Sequence, residues 1–184
     1  MQTIAYTKEI LVELSRTIEG MDDTVTEKLV EEMLRTNKIF VAGSGRSGLM
    51  AKSFAMRMMH VGLDPYVVGE TITPNLETDD MLIIGSGSGE TKGLLSMAEK
   101  AKSIGATIAL VTTNPTSSIA QLADITIEIP AQAKAEGMSG KSIQPMGSLF
   151  EQTMLLFYDA VILRFMEQKG LDSNKMYGRH ANLE

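Results

Sequence analysis

The chain has 184 residues, with 17 Lys+Arg against 23 Asp+Glu for a formal net charge of −6, and no cysteine. That length makes one ordinary domain and argues against a two-domain enzyme, while the acidic balance argues against a nucleic-acid or anionic-membrane surface as the main partner. The absence of thiols excludes disulfides, cysteine nucleophiles and thiolate metal sites. Hydrophobic residues at 43% are enough for a full core, and two histidines, His60 and His180, are too few for a histidine-rich metal site. Residues 1–6 carry no basic segment ahead of an apolar run. The most apolar helix is cut by Asp159 and Arg164 before it reaches the roughly 20 residues that span a bilayer, so a cytoplasmic protein is expected.

Residues 5–19 place Ile10, Leu11, Leu14 and Ile18 at helical spacing, and residues 24–36 repeat the pattern with Val25, Leu29, Val30, Met33 and Leu34, which predicts two leading helices. A buried-strand run at 38–42 leads into the turn Gly43-Ser44-Gly45-Arg46-Ser47-Gly48 and a helix from about 49 to 61. That helix carries Met50, Phe54, Met56, Met58 and Met59 on several faces, as expected of a helix under other structure or in a subunit contact. Strands follow at 66–68 and 81–84, then a helix over about 91–104, a strand at 107–112, a short helix over about 117–123 and a strand at 125–129. Residues 131–147 lack periodicity and read as a long loop of the kind that often carries function. A final helix over 148–169 stops at Gly170. Continuous apolar strands alternating with helices predict a three-layer α/β/α domain around a parallel sheet of about five strands, with two N-terminal helices and a C-terminal one. One domain then spans 1–184, with its core over about 25–170.

A weak internal repeat stands out: a buried strand, a Gly-Ser-Gly turn and a helix at 39–48, and again at 81–91. In an open parallel sheet, ligands bind beyond the carboxyl ends of the strands, where two such turns would converge. The second turn, Gly85-Ser86-Gly87-Ser88-Gly89-Glu90-Thr91-Lys92, combines close backbone approach, three hydroxyls and a helix N-terminus, which suits a phosphate monoester. Serines and threonines also cap helices, and glycines turn corners, without binding anything. Neither turn has a lysine directly after its last glycine, so neither is a P-loop. The first turn does match G-x-G-x-x-G, with Glu70 where a ribose-binding acid would lie, so a dinucleotide site is a rival reading.

With Ser86-x-Ser88-Gly89-Glu90-Thr91 in the second turn, the strand–turn–helix pair resembles the sugar isomerase (SIS) domain of phosphosugar isomerases and phosphosugar-sensing regulators, which implies a flavodoxin-like fold. The segments 45–57, Gln144-Pro145-Met146-Gly147-Ser148-Leu149-Phe150-Glu151-Gln152 and 180–184 are similar to the branch of that family acting on hexulose 6-phosphates. The resemblance implies interconversion of a 3-hexulose 6-phosphate and fructose 6-phosphate without metal or other cofactor, in a homotetramer whose partner is a small sugar phosphate. It places the phosphate on Ser44, Ser47, Ser86, Ser88 and Thr91 with the backbone around Gly87.

Moving a carbonyl along a sugar needs a base that removes the proton beside it and returns that proton to the neighbouring carbon. Glu151 begins a helix whose next turns are apolar, a setting in which desolvation favours a carboxylate as a base. Ser148-x-x-Glu151 is also the pattern of a capping box, in which the acid only caps the backbone. The resemblance favours the base. His60 and His180 both titrate near neutrality and suit proton shuttling to the carbonyl oxygen. The resemblance favours His60, reaching the site from a neighbouring subunit, with His180 as a second contact to the substrate. Arg46, Lys92 and Arg179 are the cations nearest these motifs, and Arg46, inside the first turn, is the candidate to steady the phosphate or the developing enediolate.

Overall fold

Apolar residues at consecutive strand positions can be buried only if both faces of the sheet are covered. The computed structural model, which describes residues 2–131, 142–172, 176 and 178, shows this arrangement. In chain order the elements are α1 (Thr3–Glu19), α2 (Asp23–Met33), β1 (Ile39–Gly43), α3 (Arg46–His60), β2 (Pro65–Val67), β3 (Met81–Gly85), α4 (Lys92–Ile104), β4 (Thr107–Thr112), β5 (Ile125–Glu128) and α5 (Ser148–Lys169). The five strands are parallel in the order β2-β1-β3-β4-β5.

The chain moves outward from β1 to β2 through α3, then returns to the other side of β1 for β3 and continues through α4 to β4. Right-handed crossovers in opposite directions place α3 and α4 on opposite faces. Side-chain alternation follows. Ile39, Val41, Met81, Ile83, Ala109 and Val111 pack with α2, α3 and α5, while Phe40, Ala42, Leu82, Ile84, Ile108 and Leu110 pack with α4. The reversal of direction leaves a crevice beyond the carboxyl ends of β1 and β3, the switch point where doubly wound sheets bind ligands. Gly43 and Gly85, the matching positions of the sequence repeat, are register partners at that edge.

Two expected elements differ. The first turn is shorter than the spacing indicates, because α3 already begins at Arg46, so half of the Gly-x-Gly-x-x-Gly segment is helical. The expected helix over 117–123 is a run of turns. The Gln121 and Ala123 N–H groups reach the carbonyls four residues back, at Ser117 and Ile119, but these bonds alternate with three-residue ones and the Ile119 N–H goes to the Gly89 carbonyl, so no continuous helix forms. Of the loop expected at 131–147, residues 132–141 lie outside the described residues. No helix among the described residues is long and apolar enough to cross a membrane.

Candidate active site

The two turns are built differently. After β1 the chain passes through Ser44 and Gly45, whose φ of 59° is open to glycine, directly into α3. The first turn of α3 is pressed on the strand end, since a Cβ on Gly48 would lie 2.7 Å from the Gly43 carbonyl oxygen. Only a glycine pair permits that approach. It directs the N-terminus of α3, with its unpartnered N–H groups and positive dipole end, at the crevice. Arg46 is the first helical residue, and Ser47 beside it is buried.

The second turn runs from Gly85 to Thr91 before α4 starts at Lys92. Its conformation is held by its own hydroxyls: Ser86 Oγ accepts from the Gly89 N–H at 3.2 Å and Ser88 Oγ from the Glu90 N–H at 3.2 Å. The Gly87 carbonyl accepts from the hydroxyls of Thr112 at 3.1 Å and Thr113 at 2.7 Å, which ties the turn to the end of β4. From the other side, Glu90 Oε1 accepts the Ser118 N–H at 2.7 Å. That backbone hydrogen bond, helped by the Ser118 side chain, holds the Glu90 carboxyl below its ordinary range.

Between the turns lies a pocket of about 250 Å³. The expected residues Ser44, Ser47, Ser86, Gly87, Ser88 and Thr91 all line it, joined by Gly45 and Gly85. Leu94, Thr113, Gly147 and Phe150 complete the wall. Motif reading passes over these four. Thr113 had a signal in the topology, as the residue following the strand beside β3, and Gly147 and Phe150 had one in their proximity to Glu151.

Helix α5 comes down on the second turn, with Phe150 packed on Gly87 and Met154 on Gly85. Glu151 is buried, its side chain 4% exposed, and its Oε2 lies 2.6 Å from Nε of Arg46, which is 55% exposed. The pair therefore joins the first turn to α5; neither residue lines the pocket itself, although their chain neighbours Gly45, Ser47 and Phe150 do. The capping box does not form. Gly147 is the N-cap, Ser148 is the first helical residue with its N–H on the Pro145 carbonyl, and Glu151 falls one position beyond the place of a capping acid.

Other candidates lie elsewhere. His60 is the last residue of α3, 15 residues long from Arg46, so about 21 Å of helix separates it from the pocket within one chain; it is 4% exposed. The structure thus does not bring His60 and Glu151 of the same chain together. His180 and Arg179 lie outside the described residues. Lys92 is exposed at the start of α4. Glu70, the acid of the dinucleotide reading, is exposed and paired with Lys52 at 2.6 Å, and the pocket falls below the roughly 300–1,000 Å³ of sites for drug-sized ligands.

These features define a doubly wound α/β protein with a small hydroxyl- and amide-lined pocket at its switch point. Residues 32–156 match the SIS domain, and the chain belongs to that family. It is 54% identical over 185 residues to the 3-hexulose-6-phosphate isomerase of Bacillus subtilis, covering 100% of both chains. It is 41% identical over 172 residues to the protein of that name from Mycobacterium gastri, covering 94% of this chain and 86% of the relative. A crystal structure from Methanococcus jannaschii, for which the function of 3-hexulose-6-phosphate isomerase was inferred, superposes with a TM-score of 0.83 at 36% identity over 97% of each chain.

Proposed function

We propose that the protein is an isomerase that interconverts D-arabino-hex-3-ulose 6-phosphate and D-fructose 6-phosphate, the activity of a 6-phospho-3-hexuloisomerase. One observation carries the chemistry: a buried carboxylate, Glu151, beside a serine-lined pocket and absent from the cap of its own helix. The relatives named 3-hexulose-6-phosphate isomerase supply the choice of sugar. The hydroxyls of Ser44, Ser47, Ser86, Ser88 and Thr91, the amides around Gly87 and the α3 N-terminus receive the phosphate. Binding this remote, unreacting group fixes the reacting carbons against Glu151.

Glu151 takes the proton from C2, next to the C3 carbonyl. The electron pair of that C–H bond forms the C2–C3 double bond, and charge develops on O3. The same carboxyl then returns the proton to C3 while O2 becomes the carbonyl, so atoms and charge balance without oxidant, metal or nucleotide. Arg46, already on Glu151, stabilises the enediolate, and a second group exchanges the hydroxyl protons of O2 and O3. We assign this exchange to His60 of a neighbouring copy, with His180 as a contact to the sugar. The distance along α3 makes an oligomer part of that assignment, with the tetramer as its form. Exposed apolar residues on three helices support it: Leu11 and Ile18 on α1, Leu49 and Met56 on α3, and Leu156 and Leu163 on α5. The whole chain acts as one cytoplasmic domain in this reading.

The test is an assay of the purified protein, in chelator, following 3-hexulose 6-phosphate to fructose 6-phosphate. Turnover is the expected result. Turnover of arabinose 5-phosphate or sedoheptulose 7-phosphate alone would overturn the choice of sugar, and phosphosugar binding with no isomerisation would overturn the enzyme reading. A monomer by light scattering would remove the role given to His60.

A further inference from the structure

The segment that leads into α5 is held by a carboxylate from the other end of the chain. Glu13 lies on α1, whose Leu14 and Thr17 are buried, and it is partly buried itself. Its Oε2 accepts from the Ser142 hydroxyl at 2.6 Å and from Nε2 of Gln144 at 3.0 Å, and its Oε1 accepts from the Ile143 N–H at 2.7 Å. Ser142 Oγ in turn accepts the Gln144 N–H at 3.0 Å. Three consecutive residues are therefore tied, directly or through one hydroxyl, to a single carboxylate. Three residues after Gln144 comes Gly147 in the pocket wall, then Phe150 in the same wall and Glu151 beside it. Between them, Met146 is held at a φ of 57°, strained for a side-chain-bearing residue. Burial pushes the Glu13 carboxyl up, but the hydrogen bonds from Ser142, Gln144 and Ile143, with the charge of Arg16, outweigh it and hold the group below its ordinary value. Glu13 precedes the stretch matched by the SIS domain, so a motif reading passes over it.

We infer that Glu13 is a positioning residue for the isomerase: its carboxylate clamps residues 142–144 and thereby sets where Gly147, Phe150 and Glu151 stand at the pocket. The inference rests on the reaction proposed above. A small displacement of a reacting group costs rate far more than stability, and about 100-fold for roughly 1 Å is typical. Glu13→Ala removes both acceptor oxygens and with them all three hydrogen bonds, Glu13→Gln keeps one oxygen for the Ile143 N–H, and Gln144→Ala removes one donor from the opposite side.

The experiment measures kcat, KM and Tm for these three variants, for the Glu13→Ala/Gln144→Ala double variant and for Glu19→Ala on the exposed side of α1, together with amide hydrogen exchange over 142–147. We expect Glu13→Ala to lower kcat by about 10- to 100-fold with KM within about threefold and Tm little changed, faster exchange at Ile143, partial recovery in Glu13→Gln, and a double variant no worse than Glu13→Ala alone. Glu19→Ala should match the parent. Unchanged kcat despite faster exchange would overturn the positioning role. Unchanged exchange would overturn the clamp, and this readout holds whether or not the parent turns over 3-hexulose 6-phosphate. A kcat loss matched by a large drop in Tm and undiminished in Glu13→Gln would reduce Glu13 to a structural contact.

Discussion

The two Gly-Ser-Gly turns begin from register-paired glycines at the same edge of the sheet, yet they deliver different chemistry. The first is short. It enters α3 within two residues of β1 and places a cation, Arg46, where it meets Glu151. The second takes six residues to reach α4, presents hydroxyls and amides, and is braced from three directions by its own serines, by Thr112 and Thr113, and by Glu90 on Ser118. Similar sequence segments thus divide the work. In the proposed reaction both turns receive the phosphate, while the first alone adds a charge, Arg46, beside Glu151 and the second adds the more heavily braced, preorganised cradle.

Alanine at the left-handed glycine of each turn tests this contrast most severely. At Gly89, with φ of 65°, a Cβ would lie 1.9 Å from Ser117 Oγ and 2.4 Å from Ser117 Cβ. Gly89→Ala should cost on the order of 3 kcal/mol, from overpacking and backbone strain together, and abolish phosphosugar binding. A Cβ on Gly45 would meet nothing within 4 Å, so Gly45→Ala should cost roughly 1–2 kcal/mol from backbone strain alone. Thermal melts with calorimetric binding check both, and equal effects would erase the difference in bracing.

Steady-state kinetics separate the roles next. Arg46→Met should lower kcat by about 100-fold, the usual scale for one group that stabilises developing charge. Ser88→Ala should act mainly on KM, by about 10-fold, as expected for a hydrogen bond to a charged group. Reversed signatures would assign the turns the other way round.

The smallest effect is in pH. The Glu90 carboxyl is held below its ordinary value of 4.5, chiefly by the Ser118 N–H. A depressed folded-state value means that the brace contributes its stability above about pH 4.5 and loses it as pH falls through the lower folded value. The melting difference between the parent and Glu90→Gln should therefore be present at neutral pH and close on acidification below that point. A difference that persists in acid would remove Glu90 from the brace.

The layers of the fold were legible because consecutive apolar residues at 39–42, 81–84 and 108–111 admit only a doubly covered sheet, and the serine turns were legible because their residue types are local. Contacts between distant segments were not. Nothing local marks Arg46 as the partner of Glu151, or Glu13 as the partner of residues 142–144, 129 to 131 positions away. The ambiguity at Ser148-x-x-Glu151 is resolved by one position, since the helix begins at Ser148 with Gly147 as its cap. The segment 117–123 has helical spacing and makes two bonds four residues back, yet with the Ile119 N–H drawn to the Gly89 carbonyl it stays a run of turns.

In the proposed mechanism Glu151 performs the proton transfer while the turns hold the ligand. Glu151→Gln keeps the size and removes the base, so fructose 6-phosphate binding by calorimetry and 3-hexulose 6-phosphate turnover should be measured on the same preparation. Binding within about threefold of the parent with turnover reduced by about 1,000-fold or more is the predicted result; near-normal turnover in that variant would contradict it.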